Sequence, residues 1–193
     1  MHKTKKMKVL FLDNDGVICL YNNWGGRTKK WKKFKKLNPE VINNKSAPVD
    51  VRFDDFDKKS IKILNKVLEE TGAEIVVSSD WKLHATLEEI GEYYLSQGIL
   101  KKPIAFTPNL DDFDPNANDL FVWKRWLEKK RILEIQEYLE KNPSVEKWVA
   151  VDDLNMSPEA NGGYGLENFV LTPKSTEGIK QVGIKEKLIE FLK

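Results

Sequence analysis

Five short apolar runs punctuate a chain otherwise rich in charge. They are Val9-Leu10-Phe11-Leu12, Ile75-Val76-Val77, Pro103-Ile104-Ala105-Phe106, Trp148-Val149-Ala150-Val151 and Phe169-Val170-Leu171. Continuous apolar runs of this length, bounded by turn residues, read as strands buried on both faces. Between them the period changes. Ile61, Leu64, Val67 and Leu68 predict a helix over 58–71, with Asp57 as its N-cap and Gly72 as its stop. Residues 83–97 read as helical up to Gly98. Ile132, Ile135 and Leu139 share a face of a helix over 123–141 that Asn142-Pro143 ends, and 184–193 forms a closing helix. Residues 17–52 carry no such pattern, being broken by Gly25-Gly26, Pro39 and Pro48. Within them Trp31, Phe34 and Leu37 recur every third residue, which suits a short amphipathic helix.

Strands alternating with helices predict right-handed βαβ units and a central sheet that is mostly parallel. The expected fold is a Rossmann-like α/β three-layer sandwich with five strands. It forms a single domain over 1–193, with 19–52 as an insertion after the first strand. In such sheets ligands bind beyond the carboxyl ends of the strands. Three strands end in polar or acidic residues: Asp13 and Asp15, Ser78 and Ser79, Asp152 and Asp153. If the strands are parallel, these groups converge on one edge.

Composition adds limits. The 193 residues are 40% hydrophobic and 32% charged, which describes one soluble globular domain. A net charge of +2 gives no whole-molecule argument for nucleic acid, so any such argument is local. The local feature is Lys29-Lys30-Trp31-Lys32-Lys33-Phe34-Lys35-Lys36. Its lysines and aromatics suit phosphate contact and base stacking; equally, Trp31 and Phe34 suit packing on the core with the lysines in water. The single cysteine, Cys19, excludes an internal disulfide. The apolar run after the basic N-terminus is too short for a signal-peptide core or a membrane span, so a cytoplasmic protein is expected.

Four carboxylates in one cleft repel each other and stay ionised together only with a cation present. Oxygen ligands without His or Cys point to a hard ion, Mg²⁺ in the first place. A carboxylate can attack phosphorus, and a second one two residues on can act as general acid and then general base. A calcium loop is excluded, because Gly16 comes too early and Trp24 stands where a bidentate acid belongs. No P-loop, G-x-S-x-G or H-E-x-x-H motif is present.

Together these residues resemble the haloacid dehalogenase-like phosphohydrolases. Leu12-Asp13-Asn14-Asp15-Gly16-Val17 matches their first motif, Val77-Ser78 the second and Val151-Asp152-Asp153 the double-Asp form of the fourth. Ser78-Ser79-Asp80-Trp81-Lys82 and Trp148 before the double Asp resemble the small subfamily associated with RNA-repair proteins. The resemblance implies Asp13 as nucleophile and Asp15 as acid/base. It implies Asp13, Asp15 (through its carbonyl), Asp152 and Asp153 at Mg²⁺. The phosphoryl group would meet Ser78, Ser79 and a basic third-motif residue, either Lys130 or Arg131. Substrate contacts are expected from Lys82, Trp31 and Lys32. The cap is expected to be small or absent, leaving a cleft open to bulky substrates such as nucleic-acid ends. Other functions carried forward are a small-metabolite phosphatase and a non-catalytic nucleic-acid-binding protein. His84 and the acidic loop of Asp111, Asp112, Asp114 and Asp119 are read as solvated.

Overall fold

A computed structural model describes residues 6–110 and 120–193; the acidic loop expected at Asp111, Asp112, Asp114 and Asp119 lies outside them. Five strands form one sheet: β1 (Met7–Leu12), β2 (Glu74–Val77), β3 (Ala105–Phe106), β4 (Val145–Asp152) and β5 (Phe169–Leu171). Every neighbouring pair is parallel, in the order β3-β2-β1-β4-β5. The chain runs outward from β1 to β3 and then returns to the other side of β1 with β4. The direction of winding therefore reverses between β1 and β4, where a crevice opens at the carboxyl edge.

The alternation of side chains sorts two cores. Leu10, Leu12, Ile75, Val77, Val149, Val151 and Val170 pack on one face against helices α3 (Lys58–Thr71), α4 (Leu87–Ser96) and α6 (Ile184–Leu192). Val9, Phe11, Val76 and Ala150 point the other way, onto Ile132, Ile135 and Tyr138 of α5 (Leu120–Lys141). Burial on both faces is why these strands are continuous apolar runs. Among the described residues no helix is long and apolar enough to cross a membrane.

α3 has the expected bounds. The Asp57 carboxylate accepts the N–H of Ser60, and Gly72 closes the helix at φ +70°. α4 starts later than the apolar pattern suggests. Residues Asp80–Leu83 form a tight 3₁₀ turn, and Thr86 with Glu89 makes a reciprocal capping box that sets the true start. β4 is longer than its apolar run, since the partly covered Val145 and Lys147 pair with Met7 and Lys8, the exposed Glu146 between them being skipped at a register irregularity.

The insertion after β1 contains α1 (Gly26–Leu37) and the single turn α2 (Val49–Arg52), which pack on each other. No α1 residue is buried. Trp31 and Phe34 stack on one another with centroids 6.1 Å apart, and Leu37 is exposed. The second option for the basic run, Trp31 and Phe34 within the core, is therefore not what forms.

Candidate active site

Strand register builds the site. Leu12 pairs with Val77 on one side and Val151 on the other, so Asp13, Ser78 and Asp152 leave the sheet edge in line. The ladder continues past the strand ends: Ser78 N–H donates to Leu12 O at 2.9 Å, and Asp13 N–H to Val151 O at 3.1 Å. After Asp13 the chain turns around Asn14, whose carbonyl accepts the N–H groups of Val17, Ile18 and Cys19. The buried Tyr94 hydroxyl donates to Asn14 Oδ1 at 2.6 Å and holds this turn from the core side. Gly16 adopts φ +72°, and a Cβ there would stand 2.2 Å from Asp153 Oδ2. The glycine of the first motif is thus required by both backbone conformation and space.

The two acids of that motif face different surroundings. Asp13 is 5% exposed and sits among Arg131, Asp152 and Asp153. Asp15 accepts a hydrogen bond from the Trp81 indole, 2.8 Å from its Oδ2. Trp81 is itself stacked on Phe53 at 4.2 Å and on Phe56 at 5.4 Å.

Of Lys130 and Arg131, it is Arg131 whose side chain lies among the acids. Its Nη1 lies 3.0 Å from Asp13 Oδ1 and 3.0 Å from Asp152 Oδ2, and also donates to Ser78 O. Its Nη2 reaches Asp80 Oδ1 at 3.4 Å. Lys130, one residue back, points elsewhere and donates to Asn109 at 2.9 Å. The planar fork of Arg131 presents two nitrogens in a fixed geometry, so that one side holds the acids while the other reaches Asp80.

Charge in the cluster is not balanced by Arg131 alone. Burial, then the nearby Asp152 carboxylate, hold the Asp13 carboxyl well above the usual carboxylate range, against the pull of Arg131. Burial pushes Asp152 up to about 7, although Arg131 and the Leu154 N–H both favour its ionised form. Asp153 is raised, chiefly by burial, with the Ser175 hydroxyl opposing. Burial alone would loosen the Arg131 proton, yet Asp152 and Asp13 hold it more firmly than usual. Raised carboxylates around a bound cation of their own chain mark a site still short of positive charge.

A divalent metal fits that shortage. Ligand oxygens of Asp13, Asp152 and Asp153 all lie within 4.8 Å of one another, an all-oxygen donor set suited to a hard ion. Asp15 is outside this trio, because its carboxylate is held by Trp81; its backbone carbonyl is the atom it could offer. A second observation concerns the anion: the buried Ser78 hydroxyl has no hydrogen-bond partner among the described residues. Such a group is costly unless a ligand satisfies it.

The remaining expected contacts are placed differently. Lys82 is 3% exposed at its side chain, and its ammonium is fully engaged by Glu134 (2.6 Å), Thr107 (3.0 Å) and Pro108 O (2.8 Å). Burial lowers its proton affinity, with Glu134 opposing. Lys82 therefore joins β2, β3 and α5 and has no donor left for a substrate. Ser79 is buried beside Ser78. Trp31 lines a small cavity of about 140 Å³ with Arg27, Thr28 and Arg52. Lys32 is exposed, turned about 100° around α1 from Trp31. A larger cavity of about 670 Å³ beside α5, between Arg125 and Tyr164, contains none of the acids.

Sequence reasoning assigned no role to Trp81, Asp80, Tyr94 or Ser175. Trp81 had a signal, its recurrence after Ser-Ser-x; the others are brought in only by packing. No curated protein and no solved structure matches the chain. Residues 9–182 match the family described as the HAD domain in Swiss Army Knife RNA repair proteins, and the chain belongs to that family.

Proposed function

We propose that this protein is a Mg²⁺-dependent phosphomonoesterase that works through an aspartyl-phosphate on Asp13 and acts on nucleotide or polynucleotide phosphate ends. The observation that carries the proposal is the juxtaposition of Asp13 with Arg131, the Asp152–Asp153 pair and the unsatisfied Ser78 hydroxyl. Asp13 would attack phosphorus as the ester P–O bond breaks, while Asp15 delivers a proton to the departing oxygen. Asp15 would then take a proton from the water that attacks the acyl phosphate, so that inorganic phosphate and free Asp13 are released.

Burial raises the proton affinity of Asp15, which suits its first role as an acid; the Trp81 hydrogen bond limits that rise and favours its second role as a base. Arg131 and Ser78 would hold the phosphoryl oxygens, the Ser78 hydroxyl finding there the partner it lacks. Asp13, Asp152, Asp153 and the Asp15 carbonyl would hold Mg²⁺, which when bound neutralises phosphoryl charge. Support for a nucleic-acid end comes from the family, which is described by RNA repair.

Phosphate release from nucleotides, sugar phosphates and 5′- or 3′-phosphorylated oligonucleotides tests the proposal. Turnover is expected with Mg²⁺ and lost in EDTA and in Asp13→Asn. Full Mg²⁺-dependent activity in Asp13→Asn overturns the mechanism, and turnover of sugar phosphates alone overturns the substrate class.

A further inference from the structure

The insertion carries a second group of cations that the proposed chemistry does not use. Arg27, Asn44, Lys45, Arg52, Phe53 and His84 line a cavity of about 320 Å³. It shares Arg27, Asn44 and Arg52 with the smaller cavity beside Trp31. The cavity adjoins the acid site through one aromatic layer: Phe53 lines it and stacks at 4.2 Å on Trp81, whose indole holds Asp15 at 2.8 Å. Arg27 is close enough to oppose protonation of Asp15 through space.

The cations exceed the anions. Arg27 has one partner, Asp54, at 3.8 Å, and Arg52 has Glu89. Lys45 and His84 have no acidic partner among the described residues. The Arg52 side chain is 7% exposed, and its Nη1 donates to His84 O at 2.8 Å. Its Nε is buried with no acceptor among the described residues. A buried guanidinium with an unused donor, beside an unpaired lysine and an imidazole, is chemistry suited to a phosphate.

The face of α1 turned to this cavity carries Arg27, Thr28 and Trp31. Lys29, Lys32, Lys33 and Lys36, spaced i, i+3, i+4 and i+7, form the opposite face. Of the basic run, Lys30 and Trp31 reach this side, Lys30 Nζ donating to Phe53 O at 3.1 Å and pairing with Asp55 at 2.5 Å, while those four lysines face away.

We infer that the Arg27–Lys45–Arg52–His84 cavity is an anion subsite for a second phosphate of the substrate, the phosphodiester next to the terminal phosphate of a nucleic-acid strand. This inference rests on the proposed phosphatase reading for the position of the terminal phosphate. An occupied subsite tells a strand end from a lone nucleotide, because only the strand fills both positions.

The test compares a mononucleotide, a nucleoside bisphosphate and a trinucleotide with the same terminal phosphate, in 5′ and 3′ versions. Wild-type kcat/KM is expected to favour the trinucleotide over the mononucleotide by about tenfold or more, the scale of a charge-assisted hydrogen bond. Lys45→Ala/Arg52→Gln should bring that ratio close to one. Lys45→Ala/His84→Ala, which alters only exposed side chains, should lower it part of the way and guards against misfolding of the first variant. Binding of a labelled trinucleotide, followed by anisotropy in EDTA, is read alongside. The salt dependence of binding should fall by about 0.7 in log–log slope for each phosphate that the variant no longer neutralises.

If wild type turns over no phosphoester, the phosphatase reading fails, while the binding arm still decides the subsite. Three outcomes overturn the subsite. One is a wild-type ratio and a binding affinity that the cavity variants do not change. Another is loss of both only when Lys29, Lys32, Lys33 and Lys36 become glutamine. The third is a gain confined to the bisphosphate.

Discussion

Arg131 Nη1 lies 3.0 Å from Asp13 Oδ1 although 118 residues separate them, and the same nitrogen lies 3.0 Å from Asp152. The guanidinium ties the carboxyl ends of β1 and β4 together at the reversal of the sheet. Removing it leaves two buried carboxylates facing each other, a loss of about 3–5 kcal/mol. Arg131→Met is therefore expected to lower Tm by roughly 10 °C in EDTA and to abolish turnover. Arg131→Lys should recover much of the Tm but little of kcat, since an ammonium has no second nitrogen to match Nη2, which reaches Asp80 while Nη1 bridges Asp13, Asp152 and Ser78 O. Thermal denaturation and steady-state kinetics on both variants check this.

Metal and pH should be linked. Asp13, Asp152 and Asp153 all bind protons more tightly in the folded chain than a free carboxylate does, Asp152 up to about 7. The folded state thus holds more protons than the unfolded one between the ordinary carboxylate value and about 7. Stability contributed by these groups is present below that window and lost as pH rises through it. In EDTA, the cluster's contribution to Tm should decline from about pH 4 to about pH 7.5. Mg²⁺ should raise Tm more at about pH 7.5 than at about pH 5, because binding requires the ionised carboxylates. An equal Mg²⁺ shift at both values would contradict the assignment of these three acids as ligands.

Trp81 should matter for rate rather than for folding. Trp81→Phe keeps a ring against Phe53 and Phe56 but removes the donor to Asp15 Oδ2. A hydrogen bond to a charged group is worth about 1.5–3 kcal/mol, so kcat should fall by about 10–100-fold with KM little changed. Leaving-group dependence gives a further check. The decrease should be about the same on aryl and alkyl phosphates, because the aspartyl-phosphate that Asp15 helps to hydrolyse is common to both.

The Lys82–Glu134 pair is expected to be structural. Both side chains are nearly inaccessible, at 3% and 2%. Lys82→Met alone strands Glu134 and should cost about 3–5 kcal/mol, whereas Lys82→Met/Glu134→Leu should regain most of that loss. Urea denaturation of the single and double variants measures the difference. A double variant as unstable as the single one would return Lys82 to a role beyond this pair.

Gly16→Ala tests the first-motif turn. The residue would adopt φ +72° and push its Cβ into Asp153. Loss of activity together with a lower Tm is expected, of the order of 1–3 kcal/mol. Pairing it with Asp153→Ala should relieve the clash and restore part of the Tm but not the activity.

Much of this was legible in the chain itself. Apolar runs too short for membrane and too continuous for a half-exposed sheet determined five strands, of which the central three carry the buried core and the edge strands β3 and β5 are only partly covered. The residues at their ends, Asp13, Asp15, Ser78, Asp152 and Asp153, named the carboxyl edge, because local composition and the geometry of parallel sheets act independently of distant contacts. Asp57 and Gly72 delimited α3 for the same local reason. Periodicity could not tell whether Lys130 or Arg131 enters the cleft, nor that Lys82 is neutralised by Glu134, nor that Lys29, Lys32, Lys33 and Lys36 turn away from the cavity holding Arg52 while Lys30 bonds Phe53. Those outcomes depend on how α5 and the insertion dock on the sheet. One residue along a helix turns a side chain by about 100°, and burial then decides which charges find partners.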